Sequence, residues 1–208
     1  MKERICLGKN DILNRFLKRA FDIVASFLGL VIAVPIIIIS ALLVRICYGE
    51  SGFFTQKRVG INGREFKILK IKSMSSKVKF DTTVTTNNDP RITKLGRFFR
   101  KTKIDELPQL VNVLKGEMSF VGPRPDVKSL VETLNETDKD VFLSIRPGIT
   151  GPASLKYKNE EDILAKVDNP REYNDNIIFP DKVRINEEYI RDYKFFRDIK
   201  YIIKTIVG

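Results

Sequence analysis

Apolar residues follow three different rhythms along this chain, and each rhythm predicts a different kind of element. From Ile23 to Val44 they form a run of 22 residues without a charge, which as a straight helix would reach about 33 Å, the thickness of a bilayer's hydrocarbon core. From Phe53 to Val59 and from Arg64 to Ile71 apolar and polar residues alternate, and Gly60-Ile61-Asn62-Gly63 lies between them. Alternation around Asn-Gly predicts a β-hairpin, because that dipeptide accepts the left-handed backbone a tight turn needs. Farther on the period becomes helical. Ile92, Leu95, Phe98 and Phe99 fall on one side of a helix that carries Lys94, Arg97, Arg100 and Lys101 on another; Leu107, Leu110, Val111 and Leu114 continue to a stop at Gly116; Tyr189, Tyr193, Phe196, Ile199, Ile203 and Ile206 recur near the end, as core contacts or as a helix lying against the membrane. The polar stretch from Ser75 to Pro90 reads as a surface loop, and the acidic, Asn-rich stretch from Asn159 to Phe179 as an irregular connection. The pattern predicts an α+β protein, mostly helical with a small β-hairpin. It divides into residues 1–48, an N-terminal segment with the apolar helix, and residues 49–208, a separate domain.

Pro35 changes the reading of the apolar run. It removes a backbone hydrogen bond near the middle and predicts a kink. Both flanks are basic, with Arg15, Lys18 and Arg19 before the run and Arg45, Lys57, Arg58, Arg64, Lys67, Lys70 and Lys72 after it. If positive flanks stay on one side of a membrane, both ends want the same side. A helix that enters, bends at Pro35 and returns satisfies both constraints. A kinked span with one basic flank outside remains open, as does a buried core helix. A cleaved signal peptide fits poorly, since Arg45, Ile46 and Cys47 follow the run instead of small residues.

Charge sharpens the picture. The chain of 208 residues has 37 Lys and Arg against 26 Asp and Glu, a net of +11. Residues 1–104 carry 21 basic and 7 acidic side chains, whereas the remainder carries 16 and 19. The first half therefore faces something anionic, and the adjoining apolar run points to lipid headgroups rather than nucleic acid. No nucleic-acid partner is expected, because the aromatics interleave with core positions and form no stacking platform. There is no histidine, which removes the commonest general base and every Ser-His or Cys-His nucleophile system. Two cysteines, Cys6 and Cys47, make neither a disulfide framework nor a cysteine metal site and suit a reducing compartment.

The candidate chemistry therefore falls to carboxylates and arginines. Lys103-Ile104-Asp105-Glu106-Leu107-Pro108-Gln109-Leu110 reads as a helix start with Asp105 and Glu106 at its N-terminus. Acids there ordinarily cap amides and offset the dipole. Beside Arg100 and Lys103, an ionised aspartate could instead attack a phosphorus atom whose oxygens arginine neutralises, with Glu106 as a base or a partner to a hard cation. Arg124 lies between Pro123 and Pro125 and Arg146 precedes Pro147; each is either part of a rigid turn or a guanidinium aimed at phosphate.

In this order the features resemble the bacterial sugar transferases, the monotopic phosphoglycosyl transferases that begin glycan assembly on a polyprenol carrier. The matching text is the apolar helix with its proline, Phe54-Thr55-Gln56-Lys57-Arg58, Phe66-Lys67-Ile68 through Lys72-Ser73-Met74, the segment Asp105 to Leu110, Gly122-Pro123-Arg124-Pro125, and Arg146-Pro147-Gly148-Ile149-Thr150-Gly151. The resemblance implies transfer of a sugar-1-phosphate from a UDP-sugar to polyprenol (undecaprenyl) phosphate with release of UMP. It implies Asp105 as nucleophile, Glu106 as its catalytic partner, and Arg100, Arg124, Lys72 and Arg146 as phosphate ligands. It further implies Mg2+ at Asp105, a re-entrant helix bent at Pro35, and a catalytic domain on the cytoplasmic face of the bacterial inner membrane, in contact with inner-leaflet lipids. A homodimer is left open, and the chain looks like the minimal catalytic form. It departs from the family in having Val34, where serine is frequent, and Pro152-Ala153-Ser154-Leu155-Lys156-Tyr157 after Gly151, where Ala-Gln-Val-Asn-Gly-Arg is common. A non-enzymatic adaptor that binds anionic lipid is the rival expectation.

Overall fold

The computed structural model describes residues 9–78 and 89–208. Cys6 and most of the polar loop before Pro90 lie outside the described residues. The chain opens on α1, Lys9–Tyr48, a single helix of 40 residues that continues through Pro35. It is the one described helix long and apolar enough to cross a membrane, and most of its apolar surface finds no cover within the chain. Val31 is 64 % exposed and Ile32 73 %, so the core-helix reading of the run does not hold.

One narrow stripe of α1 is buried. Lys18, Asp22, Ser26, Ala33, Ile37, Ser40 and Val44 recur three to seven residues apart, the spacing that keeps side chains on one helical face. The stripe begins polar and ends apolar. Lys18 donates to Asp198 Oδ2 and to the Val121 carbonyl, both at 2.6 Å. Asp22 Oδ1 accepts from Ser119 Oγ and the Phe120 amide, both at 3.0 Å. On either side of Pro35, Ala33, Ile37 and Val44 join Ile71, Phe99 and Leu110 in a core cluster.

The expected hairpin forms from β1, Phe53–Val59, and β2, Glu65–Ile71, antiparallel with Phe53 opposite Ile71 and Val59 opposite Glu65. Its turn places Asn62 and Gly63 at φ 57° and 73°, as the Asn-Gly signal requires. The polar loop beyond β2 returns through α2, Lys94–Thr102, whose N-cap Thr93 accepts from the Gly96 amide at 2.9 Å. Gly96 allows α2 to touch the end of the hairpin, since a Cβ there would lie 1.9 Å from the Ser73 carbonyl oxygen. Phe99 is buried, but Phe98 is exposed, so the apolar side of α2 is narrower than its sequence predicts.

The helix expected to open at Lys103 is two elements. A 3-10 turn spans Ile104–Glu106, and α3, Gln109–Lys115, begins after Pro108 and ends at Gly116 in the left-handed region, φ 84°. Lys103 joins α2 to the turn at φ 58°. Arg19 of α1 donates to the Val113 and Leu114 carbonyls at 2.8 and 2.9 Å, meeting groups that a helix C-terminus leaves open.

A second sheet was not foreseen. β3, Ser119–Val121, pairs in parallel with β4, Gly148–Thr150, so the two proline-rich motifs lie side by side. Between them run the short helices α4, Lys128–Val131, and α5, Glu136–Phe142. After β4 come α6, Pro152–Lys156, and then α7, Glu160–Leu164, and α8, Pro170–Tyr173, which lie within or beside the supposed irregular connection. A π-helical turn, Asn174–Ile178, leads into α9, Phe179–Arg191, and α10, Phe195–Val207, closes the chain. The terminal period thus breaks between Arg191 and Phe195. Tyr189 is buried, while Phe196, Ile203 and Ile206 are exposed, a correction to the expectation that all six apolar residues are core contacts.

Asp198 of α10 accepts from Lys18, from Tyr189 at 2.7 Å and from Tyr193 at 3.0 Å. Removing one partner of a buried pair leaves the other charge uncompensated. Asp198→Ala should therefore lower the unfolding free energy by about 3 kcal/mol, read from denaturant unfolding in detergent, with Asp198→Asn costing less.

Candidate active site

The two candidate acids project from the 3-10 turn between α2 and α3, not from a helix end, and neither caps a helix with its side chain. Side-chain capping therefore does not account for the acids at that place. Asp105 is 7 % exposed, and its Oδ1 is buried with no hydrogen-bond partner. Burial pushes its carboxyl up to about 6, with Glu106 adding to the rise and Lys70, Lys103 and Arg100 opposing it. For Glu106, burial raises the carboxyl too, but Lys70, Arg124 and Lys103 outweigh it and hold the group down at about 2. Two adjacent carboxyls therefore differ in readiness to ionise, a property that recurs where acids do chemical work.

Lys70 makes the difference. Its Nζ lies 2.9 Å from Glu106 Oε1, and burial pulls the ammonium below its usual range against the fields of Glu106 and Asp105. Arg124 approaches the same oxygen at 3.9 Å from just beyond β3, and its side chain is half-exposed. Around Arg124 stand Arg58 of β1, Asp126 and Glu160, and Arg58 Nε is buried without a hydrogen bond. Burial raises Asp126, opposed by Lys182, Arg124 and Arg58.

Arg100 reaches the group from the last turn of α2. Its Nη2 donates to Glu161 Oε1 of α7, and its Nη1 is buried with no partner. The site thus holds a buried acceptor on Asp105 and a buried donor on Arg100 that the described residues leave unmet, in a setting rich in cations. A phosphate oxygen can accept from the Arg100 nitrogen, whereas the Asp105 oxygen calls for a hydroxyl donor or a cation that accompanies such a ligand.

Of the six side chains proposed for chemistry, four come together: Asp105, Glu106, Arg100 and Arg124. Two do not. Lys72, just beyond the end of β2, is 2.5 Å from Glu50 Oε2 and donates to Ser76 Oγ at 2.6 Å. Arg146 donates through Nε to the Gly116 carbonyl at 2.8 Å, where it serves the end of α3 beside Arg19. Lys70 itself was passed over as one more basic flank. The signal was present in the alternation: Phe66 and Ile68 point inward, and Lys70 is next on that face.

Comparison with known proteins identifies the family. The family model described as Bacterial sugar transferase matches residues 13–208, and the chain belongs to that family. It is 38 % identical over 199 residues to the UDP-glucose:undecaprenyl-phosphate glucose-1-phosphate transferase of Escherichia coli, covering 93 % of this chain and 40 % of that protein. It is 34 % identical over 213 residues to the undecaprenyl-phosphate galactose phosphotransferase of Salmonella typhimurium, covering 92 % and 40 %. With the exopolysaccharide production protein ExoY of Rhizobium meliloti it shares 31 % over 205 residues, covering 91 % and 83 %. The chain therefore spans about two-fifths of the length of the first two relatives and most of the third.

The raised Asp105 carboxyl fixes the sign of a stability effect. The folded state holds that proton more tightly than the unfolded chain does, so ionised Asp105 destabilises the fold above about pH 4, and fully above about pH 6. In metal-free buffer Asp105→Asn should match the wild type near pH 4. At pH 8 it should be more stable, by of order 2 kcal/mol, as followed by thermal unfolding across that range.

Proposed function

We propose that this chain is a phosphoglycosyl transferase, moving a sugar-1-phosphate from a UDP-sugar to polyprenol phosphate, and that Asp105 is its nucleophile. The observation that carries the reading is the Asp105 carboxylate, buried and unpartnered among Lys70, Lys103 and Arg100. The relatives act, by their names, on undecaprenyl phosphate.

A carboxylate oxygen of Asp105 attacks the sugar-bearing phosphorus of the donor, and UMP leaves with the bridging oxygen. An oxygen of the polyprenol phosphate then attacks the same phosphorus, releasing Asp105 and leaving the sugar on a lipid diphosphate. Arg100 and Arg124 offset charge on the phosphoryl oxygens while these bonds change. Lys70 holds Glu106 ionised and in place.

The residues fit the Mg2+ that the resemblance implies. Asp105 Oδ1 is unclaimed, and Mg2+ is commonly bound through one or two carboxylates together with substrate phosphates and water. Asp105 would hold it, and when bound it would neutralise part of the diphosphate's charge.

Membrane seating follows from α1. Its first half is tied to Val121 and Asp198 and its last turns to the cluster of Ile71 and Phe99, so both ends attach to one set of elements. That attachment favours a re-entrant helix over a span and, with the basic flanks, a domain on the cytoplasmic face of the inner membrane. The products would feed capsule, O-antigen, exopolysaccharide or glycoprotein glycan assembly.

The first test is UMP release by detergent-purified protein given magnesium, undecaprenyl phosphate and a panel of UDP-sugars. Wild-type protein should release UMP with one or two sugars and Asp105→Asn with none. Activity retained in the variant would remove Asp105 as nucleophile, and silence with every sugar would favour a lipid-binding adaptor. For topology, a membrane-impermeant thiol reagent should modify Cys6 and Cys47 from the same side; labelling from opposite sides means a span.

A further inference from the structure

We infer that Glu161 is a positioning residue for Arg100, holding one guanidinium nitrogen so that the other is presented to the donor's phosphate. The inference rests on the reading of Asp105 and Arg100 as the pair that handles phosphate.

Arg100 and Glu161 are 61 residues apart and meet only because α7 folds back beside the end of α2. An unrestrained arginine has about 2 kcal/mol of rotamer entropy to lose when it orders. Glu161 meets that cost in advance. It takes Nη2 alone, while Nη1 is buried and has no acceptor. This is an uneven use of a guanidinium, which matches a carboxylate best through two parallel N–H donors. A carboxylate that merely occupied the phosphate's place would be expected to take both.

The clamp is itself braced. Glu160, the neighbour of Glu161, accepts from Lys182 Nζ of α9 at 2.6 Å. Lys182 lies over the ring of Tyr157 at 5.6 Å, and the Tyr157 hydroxyl donates to Asp181 at 2.7 Å. These contacts fix α7 against α9 and the residue that follows α6, so Glu161 holds Arg100 from a supported base. α7 lies in the part of the chain after Gly151 that departs from the family's usual text.

The test is a double-mutant cycle on full-length protein in detergent, read as kcat and donor KM. Glu161 is partly exposed, and thermal unfolding of each variant verifies folding. Glu161→Ala should raise the donor KM about tenfold, while Glu161→Gln, whose amide oxygen still accepts from Nη2, should keep most of the wild-type value. In an Arg100→Ala background Glu161→Ala should add nothing, because its effect passes through Arg100. A lower KM in Glu161→Ala would make Glu161 a stand-in that the donor displaces, and overturns the inference. So would an unchanged KM, or losses that multiply in the double variant. If wild-type protein releases no UMP, the transferase reading fails separately. The same five proteins are then compared for binding of inorganic pyrophosphate by calorimetry, with the same pattern expected and the same contrary results decisive.

Discussion

Everything else in this protein hangs from the seam between α1 and the elements folded along it. A helix of 40 residues with a largely uncovered apolar surface would not choose a fixed place on a small domain by hydrophobic burial alone, since one apolar face is much like another. The polar half of the stripe supplies the choice. Lys18, Asp22 and Arg19 each have partners at set positions, on α10, β3 and the end of α3, and a slip of one turn would leave buried charges unmet, at several kcal/mol each. The apolar half then closes over the hairpin, α2 and α3. Because α3 and α2 are both held against α1, the turn between them, with Asp105 and Glu106, is held as well.

Much of this was legible in the sequence, for reasons that differ from place to place. The hairpin was plain because Asn62 and Gly63 announce the backbone they need and the flanking alternation agrees. The acids were found from their neighbours, though their setting was misjudged. The sequence puts both acids at the start of one helix, whereas Pro108 precedes α3 and leaves Asp105 on a turn of its own. The β3–β4 pair was invisible, because three-residue parallel strands carry no measurable period and their partners are remote in the chain. Lys72 and Arg146 show the limit of reading charges singly. A cation near a phosphate motif and a cation that ties a loop to Glu50 or caps α3 have the same letters, and only the fold separates them.

The site's electrostatics come from unequal sharing. Lys70 and Arg124 both approach Glu106 Oε1, so one carboxyl receives most of the compensating charge and its neighbour little. Burial then dominates at Asp105. The consequence is an acid pair in which the better-paired member stays ionised and the poorly paired one holds its proton to higher pH, a difference that two equivalent carboxylates would not show.

Lys103 shows what the fold gives up for this arrangement. It sits in the left-handed region, φ 58°, a conformation that costs a side chain with a Cβ about 1–2 kcal/mol and that glycine would adopt freely. Glycine would relax the backbone at the junction and remove a cation whose field acts on both Asp105 and Glu106. At this one residue conformational ease and charge are in direct competition, and the chain has kept the charge. Substitutions that improve stability here are therefore expected to be the ones that disturb the acid pair, a trade set by a single backbone angle two residues before Asp105.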